Sequence, residues 1–246
     1  MVRLLAASTL WYSDVDDPAA VLRGRPEPDP DAAAALAGQL YADHDLLPIM
    51  IGTLNGCAAP DRDEVYIGCY PGLTVVCTAE ASLVRPTRLP DLLVRPLASE
   101  HTYLVSFDTR IHWGAFAHWE RGEFRRSFSS TRVDILENEG LPMVWERPFW
   151  AGERPVPWHE GAPGPQTLPF DPPAFADAAN DAWLGFGYRA AEPRHPGPGD
   201  LAVCGFTLYP KGKAPRQHTV QTASPGAATR RRRGLLGWLR GSDRVL

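Results

Sequence analysis

Hydrophobic and polar residues alternate most regularly in the segment DTRIHWGAFAHWERGEFRRSF, which runs from Asp108 to Phe128. Within it, the odd positions of 109–119 are mostly apolar and the even positions are mostly polar. A period of two is typical of a β-strand, because successive side chains point to opposite faces. The pattern therefore predicts a strand over 109–119 with one buried face and one solvated face, and the solvated face would carry His112 and His118.

The dipeptide Arg121-Gly122 predicts a two-residue turn from this strand into a partner strand, Glu123–Phe128. With such a turn the apolar side chains of both strands fall on the same face of the hairpin. The expected partners are Trp119 with Phe124 and Ala115 with Phe128.

Other β-rich segments precede and follow this hairpin, and three segments have a helical pattern. Pro71-Gly72 joins two of the strands and predicts a type II turn between them. The predicted strands are Arg3–Leu10, Leu46–Ile51, Val65–Tyr70, Leu73–Thr78, Thr102–Phe107 and Leu201–Tyr209. The predicted helices are a segment capped by Asp31 that ends near Tyr41, Thr87–Val94, and Pro173 to about Leu184. Adjacent runs of strands with a few helices favour an α+β fold with a mainly antiparallel sheet, and a doubly wound α/β fold is the alternative.

Charge divides the chain into an acidic body and a basic end. Residues 211–246 hold nine Lys or Arg and one acid, a net charge of +8, so residues 1–210 carry −12 within the total of −4. We therefore predict a single α+β domain over 1–210, a flexible linker over 211–234 and a short amphipathic basic tail over 235–246. A nucleic-acid-binding domain would carry its basic surface on the folded part, so we expect no nucleic-acid partner.

Cysteine usage and hydropathy indicate a cytoplasmic protein. The four cysteines, Cys57, Cys69, Cys77 and Cys204, have no C-x-x-C spacing, which argues against a zinc ribbon or a thioredoxin motif. Scattered cysteines in a chain of this length are typical of reduced, buried thiols. No apolar run approaches the roughly 20 residues of a membrane span, and the N-terminal segment is better explained as a strand than as a signal peptide.

The residues that most resemble catalytic groups do not form one site on the predicted strand. At about 3.3 Å per residue, His112 and His118 would lie roughly 20 Å apart, and Asp108 and His112 about 13 Å apart. These distances exclude a shared metal or a hydrogen-bonded dyad. Asp14, Asp16 and Asp17 could hold a hard cation, but a turn or a helix cap explains them better. With no phosphate-binding loop and no nucleophile elbow, we predict no catalytic residue, no metal site and no cofactor.

The best candidate for a binding surface is the segment from Glu137 to Glu153, where carboxylates alternate with aromatic residues. Carboxylates beside aromatic rings can acquire a raised pKa or line a pocket for a sugar or a cation. The alternative is a loop that its aromatic residues anchor to the core. The candidate binding residues are Glu137, Asn138, Glu139, Trp145, Glu146 and Trp150.

The last residues, RRRRGLLGWLRGSDRVL, combine a basic run with apolar residues at helical spacing. This pattern is typical of a short interfacial helix that contacts an anionic membrane weakly, or of a peptide that docks in a partner's groove. Three glycines weaken the helix, so an unbound solvated tail is the alternative. The candidate contact residues are Arg230, Arg231, Arg232, Arg233, Leu235, Leu236, Trp238 and Leu239.

Several segments, in this order, resemble an actinobacterial protein family of unknown function. They read EVYIGCYPGLTVVC, RPTRLPDLL, WGAFAHWERGEFRRSFS, ENEGLPMVWERPFWAG and LPFDPPAFADAANDAWLGFGY. The resemblance covers most of Arg3–Tyr188 and implies a bacterial protein, with no catalytic residue to carry over. The region after Pro210 departs from the family's pattern.

Two functions from different classes remain open at this point. The first is a non-catalytic intracellular protein, binding or regulatory, whose partner is an unknown protein or small molecule. The second is a hydrolase or transferase whose carboxylate-based site lies around Glu137–Glu153, joined to the Asp14–Asp17 turn or to the His112 face. Two of these carboxylates and a histidine converging within about 4 Å in a concave pocket would favour the enzyme.

Overall fold

A computed structural model describes residues 4–156, 167–189 and 196–215, and within them ten strands form one antiparallel sheet. The fold is α+β with an antiparallel sheet, as the sequence predicts. The strands are β1 (Ala6–Ser13), β2 (His44–Pro48), β3 (Gly52–Thr53), β4 (Glu64–Tyr70), β5 (Leu73–Thr78), β6 (His101–Asp108), β7 (Trp113–Glu120), β8 (Glu123–Ser130), β9 (Ile135–Gly140) and β10 (Ala202–Pro210). Their order across the sheet is β2-β10-β4-β5-β1-β6-β7-β8-β9, and β3 pairs with β10.

Helices cover both faces of this sheet, which explains why its central strands are apolar on both sides. The helices are α1 (Pro18–Arg23), α2 (Pro30–Leu40), α3 (Leu54–Cys57), α4 (Asp91–Val94), α5 (Arg147–Trp150) and α6 (Pro172–Leu184). On one face, Phe175 of α6 packs with Phe116 and Phe128. On the other face, Leu36 of α2 belongs to the cluster that contains Leu104.

Strands β4 and β5 pair across the predicted turn at Pro71-Gly72. Cys69 lies opposite Thr74 and Cys77 lies opposite Tyr66. Gly72 adopts a φ of 66°, the left-handed conformation that the third position of a type II turn requires. The out-of-register thiols form no disulfide, and all four cysteines are free.

The predicted strand over 109–119 is wrong in its first four residues. Strand β6 ends at Asp108, β7 begins at Trp113, and the residues between them form the turn. Arg110 folds back on Asp108 with an Nη2–Oδ2 distance of 2.6 Å, and His112 adopts a φ of 51°. Asp108 and His112 therefore lie on either side of a turn, and the distance expected along one extended strand does not apply to them.

The even positions of β7 are not solvated, contrary to the prediction. Helix α6 packs against them, so that His118 is only 9% exposed and Phe116 is fully buried. Gly114 makes this approach feasible, because a Cβ there would overlap the backbone carbonyl of Pro172 at the start of α6. A short period-two pattern reports which face is polar, but it does not report whether another element covers that face.

A register shift between His118 and Trp119 changes the pairing in the hairpin of β7 and β8. Trp119 lies opposite Phe124 as predicted, but the partner of Phe128 is Phe116 instead of Ala115. The extra residue in β8 places Phe128 opposite Phe116, and their rings stack with centroids 5.6 Å apart.

Helix boundaries differ from the prediction where proline or a better cap intervenes. Asp29, rather than Asp31, accepts hydrogen bonds at the start of α2. The predicted helix Thr87–Val94 is divided into a 3₁₀ turn, Pro86–Arg88, and the short helix α4, because Pro90 cannot continue a helix from the preceding residues.

The chain divides into a compact unit, Met1–Ala214, and a second segment, Pro215–Leu246. All ten strands found among the described residues belong to the compact unit. Beyond residue 215, the predicted linker and basic tail lie outside the described residues, and their boundaries stay predictions.

Candidate functional site

Glu146, one of the predicted binding residues, is fully buried in an ion pair. The Nε and Nη2 atoms of Arg126 donate to its two carboxylate oxygens at 2.9 and 2.8 Å, and both side chains have no solvent exposure. The backbone N–H of Met143 and the indole N–H of Trp150 donate to the same carboxylate at 2.9 and 3.1 Å. All donors point at one anion, so this carboxylate holds structure together.

The remaining guanidinium nitrogen of Arg126 connects this pair to strand β9. Its Nη1 donates to the side-chain oxygen of Asn138 at 2.7 Å and to the backbone carbonyls of Ser127 and Glu139 at 2.9 Å each. Arg126 is not among the residues predicted from sequence, although period-two alternation places it on the same face as Phe124 and Phe128. The network joins β8, β9 and the segment before α5.

Glu137 lies on the opposite face of the sheet from Asn138, and its carboxylate is also occupied. The backbone N–H and the hydroxyl of Thr87 donate to it at 3.0 and 2.6 Å. The hydroxyl of Ser127 donates to it at 2.5 Å. The carboxylate thus anchors the 3₁₀ turn Pro86–Arg88 to the sheet.

The other members of the predicted binding surface are an exposed glutamate and two partly buried tryptophans. Glu139 is exposed, and no hydrogen bond or ion pair joins its side chain to another described residue. Trp145 and Trp150 pack edge-on against the phenylalanines of the core, with ring centroids 5.1 Å from Phe116 and 5.2 Å from Phe170. The structure therefore does not bring these carboxylates together in a cleft.

A different cleft opens where strands β1 and β7 end and strand β6 begins. Its volume is about 540 Å³, and it lies beside α1 and the C-terminal turn of α6. We call it the His101 cleft. Its polar lining residues are Asp14, Asp16, Glu100, His101, Tyr103 and Arg121, and its apolar lining residues are Val15, Pro18, Ala182 and Trp183.

Antiparallel pairing of β1 with β6 builds this cleft. Ser13 lies opposite His101, so the acidic turn after β1 meets the residues that precede β6. The backbone N–H of Glu100 donates to Asp14 at 2.7 Å. Asp17 caps α1 by accepting from the N–H of Ala20 at 2.9 Å, the structural role that the sequence predicts for part of this turn.

Two histidines meet at the back of the cleft. The Nδ1 atom of His101 lies 3.2 Å from Nε2 of His118. Burial and, second, the nearby His101 lower the pKa of His118 to about 4, so His118 is neutral at pH 7. Its Nδ1 atom is buried and has no hydrogen-bond partner among the described residues. We assign its proton to Nε2, which donates to His101 and leaves no buried N–H unpaired.

An aromatic stack forms the wall beside these histidines. The rings of Tyr103 and Trp183 are nearly parallel, with centroids 4.7 Å apart. Tyr103 also contacts both histidines, with ring centroids 5.0 Å from His118 and 5.7 Å from His101. Burial and the charge of Glu120 raise the pKa of Tyr103 to about 12, so its hydroxyl keeps its proton.

Sequence reasoning missed the His101 cleft, although part of its signal was present. The turn with Asp14 follows the first predicted strand, and His101 precedes the predicted strand Thr102–Phe107. Only the pairing of these two strands, which local patterns do not report, brings the two ends together.

Neither a metal site nor a membrane span is found among the described residues. Within the described ranges, no group of three or more His, Cys, Asp or Glu residues is placed to hold a metal ion. No helix found in those ranges has both the length and the apolar character needed to cross a bilayer. Outside the described residues lie the candidate membrane or partner residues Arg230, Arg231, Arg232, Arg233, Leu235, Leu236, Trp238 and Leu239.

Comparison with known proteins gives one family and no named relative. The model of a family described as a family of unknown function (DUF6928) matches residues 7–206, which span the sheet from β1 into β10. No curated protein and no solved structure matches the chain.

Proposed function

Because the chain belongs to the family of unknown function DUF6928, which assigns it no activity, we propose a function from the His101 cleft. The protein is a non-catalytic binding or regulatory protein that acts in the cytoplasm and holds a small molecule in this cleft. Concave sites that combine an apolar wall with a few polar groups are where proteins usually bind small ligands. The single observation that carries the proposal is the convergence of aspartates, a histidine and an aromatic wall at the ends of three strands.

The cytoplasmic part of the proposal draws on cysteine chemistry. All four cysteines are free, and burial raises the pKa of Cys69 to about 11 and that of Cys77 well above its ordinary value. Protonated thiols without a disulfide suit a reducing compartment.

The positions of Glu137 and Glu146 support a non-catalytic protein over the hydrolase or transferase. A general acid and base need carboxyl groups that can exchange protons with a substrate. Glu146 is enclosed with Arg126, and Glu137 accepts three hydrogen bonds from Thr87 and Ser127. Both carboxylates are buried, and their oxygens already accept hydrogen bonds from the protein.

Binding can be tested by nuclear magnetic resonance on the ¹⁵N-labelled chain with a panel of small molecules that covers cationic, neutral and anionic compounds. We expect at least one class to shift the amide resonances of Val15, His101 and Trp183. Ala182→Phe places a ring in the cleft and should abolish these shifts. Ala34→Phe, on the exposed side of α2, is the matched control and should retain them.

Two outcomes would overturn the proposal. If no class of compound perturbs the cleft resonances, the cleft is not a binding site. If a bound compound is converted to product during prolonged incubation, and Asp16→Asn stops the conversion, the protein is an enzyme. We expect the compound to be recovered unchanged.

A further inference from the structure

The charges that line the His101 cleft do not cancel. Arg121 pairs with Glu100 through two contacts, Nη2–Oε1 at 2.6 Å and Nε–Oε2 at 3.0 Å. This guanidinium lowers the pKa of Glu100, so the two residues stay ionised and neutralise each other. Asp14 accepts only the backbone N–H of Glu100, and Asp16 makes no hydrogen bond or ion pair with another described residue. Two aspartates therefore lack a cationic partner in the described structure.

No other lining group compensates these aspartates. His101 contacts His118 through its Nδ1 atom, and no hydrogen bond or ion pair joins it to either aspartate among the described residues. Tyr103 is neutral, because its raised pKa keeps the hydroxyl protonated. The cleft consequently combines a net negative charge with the apolar surface of Trp183 and Pro18.

Given the proposed function, on which this step rests, we infer that the ligand is a small organic cation with an ammonium or amidinium group and an apolar body. The cationic group pairs with Asp14 and Asp16, and the apolar body lies on the wall that Trp183 forms. An anion would meet two uncompensated carboxylates, and a neutral ligand would remove water from them without supplying a counter-charge. An inorganic cation would leave the apolar wall without a contact.

Three compounds that share one ring and differ in charge test this inference: benzylamine, benzyl alcohol and benzoate. Each is titrated into the ¹⁵N-labelled full chain at low salt, and its dissociation constant is read from the resonances of Val15, His101 and Trp183. We expect benzylamine to bind at least about tenfold more tightly than benzyl alcohol, a ratio that two solvent-exposed ion pairs can supply. Benzoate should not bind.

Asp16→Asn removes one of the two charges and should weaken benzylamine by about fivefold, with little effect on benzyl alcohol. Asp61→Asn changes an exposed aspartate outside the lining and should leave both constants unchanged. Added salt should weaken benzylamine and leave benzyl alcohol unaffected.

The results separate this inference from the proposed function. If benzyl alcohol or benzoate occupies the cleft as tightly as benzylamine, the cleft is a binding site but its ligand is not a cation, and the inference is overturned. If none of the three compounds, and no member of the wider panel, shifts the cleft resonances, the proposed function itself fails. If benzylamine binds equally well to Asp16→Asn, the carboxylates do not select the ligand.

Discussion

Replacing Glu146 by glutamine distinguishes a structural carboxylate from a catalytic one. The substitution keeps the size of the side chain but removes the charge that balances Arg126, and both residues have no solvent exposure. In the wild-type protein, four donor groups from Arg126, Met143 and Trp150 share the two carboxylate oxygens of Glu146. The amide of glutamine offers only one acceptor oxygen. The variant therefore leaves a buried guanidinium without a counter-ion and with fewer acceptors.

Removing one partner of a buried ion pair costs about 3–5 kcal/mol of the free energy of unfolding. For a domain of this size, 1 kcal/mol lowers the midpoint of thermal unfolding by about 2–4 °C, so we expect Glu146→Gln to lower it by about 6–20 °C. The matched control is Glu139→Gln, seven positions earlier. Glu139 is exposed and its side chain has no partner among the described residues, so this change should stay within about 0.5 kcal/mol.

Chemical denaturation followed by tryptophan fluorescence measures both free energies on the full chain. If Glu146→Gln is as stable as Glu139→Gln, the carboxylate of Glu146 is not committed to Arg126. Glu146 would then be available again as a functional residue for the hypothesis of a carboxylate-based enzyme. A double-mutant cycle with Arg126→Met adds a second check, because the two changes should be strongly non-additive.

Three further results are expected. His118 has a pKa of about 4 in the fold against 6.5 in the unfolded chain, so its contribution to stability is complete above pH 6.5 and is lost as the pH falls toward 4. At pH 5 the loss is about 2 kcal/mol, and His118→Phe should remove that part of the pH dependence. Denaturation at several pH values measures it, and an unchanged slope of the free energy of unfolding against pH would contradict this. Gly114→Ala should destabilise by about 2 kcal/mol, because its Cβ overlaps the backbone of Pro172, and a wild-type melting temperature would show that α6 adjusts. Deleting residues 230–246 should reduce co-sedimentation with anionic vesicles, and equal sedimentation would remove the membrane hypothesis.

The candidate site was only partly predictable from sequence. The composition of the Glu137–Glu153 segment suggests a binding surface. Composition does not distinguish a carboxylate that faces a ligand from one that an arginine encloses. Glu146 belongs to the second kind, and Arg126, its partner, is twenty residues away in the chain. The His101 cleft depends on the pairing of Ser13 with His101, a contact between residues 88 positions apart.

The sequence specifies, without any tertiary information, the elements whose signals are local. Pro71-Gly72 specifies its hairpin through backbone conformation, and period-two alternation specifies most of the strands. It also determined the α+β class, because strands that follow one another closely pair antiparallel.

Contacts between distant segments determine which polar side chains are buried and which face the cleft. His118 alternates with apolar neighbours as a surface residue does, and Arg126 lies between two polar residues, yet α6 and the segment before α5 enclose them. The physical reason is that burial depends on what packs against a face, and contacts between distant segments leave no periodic trace in either segment.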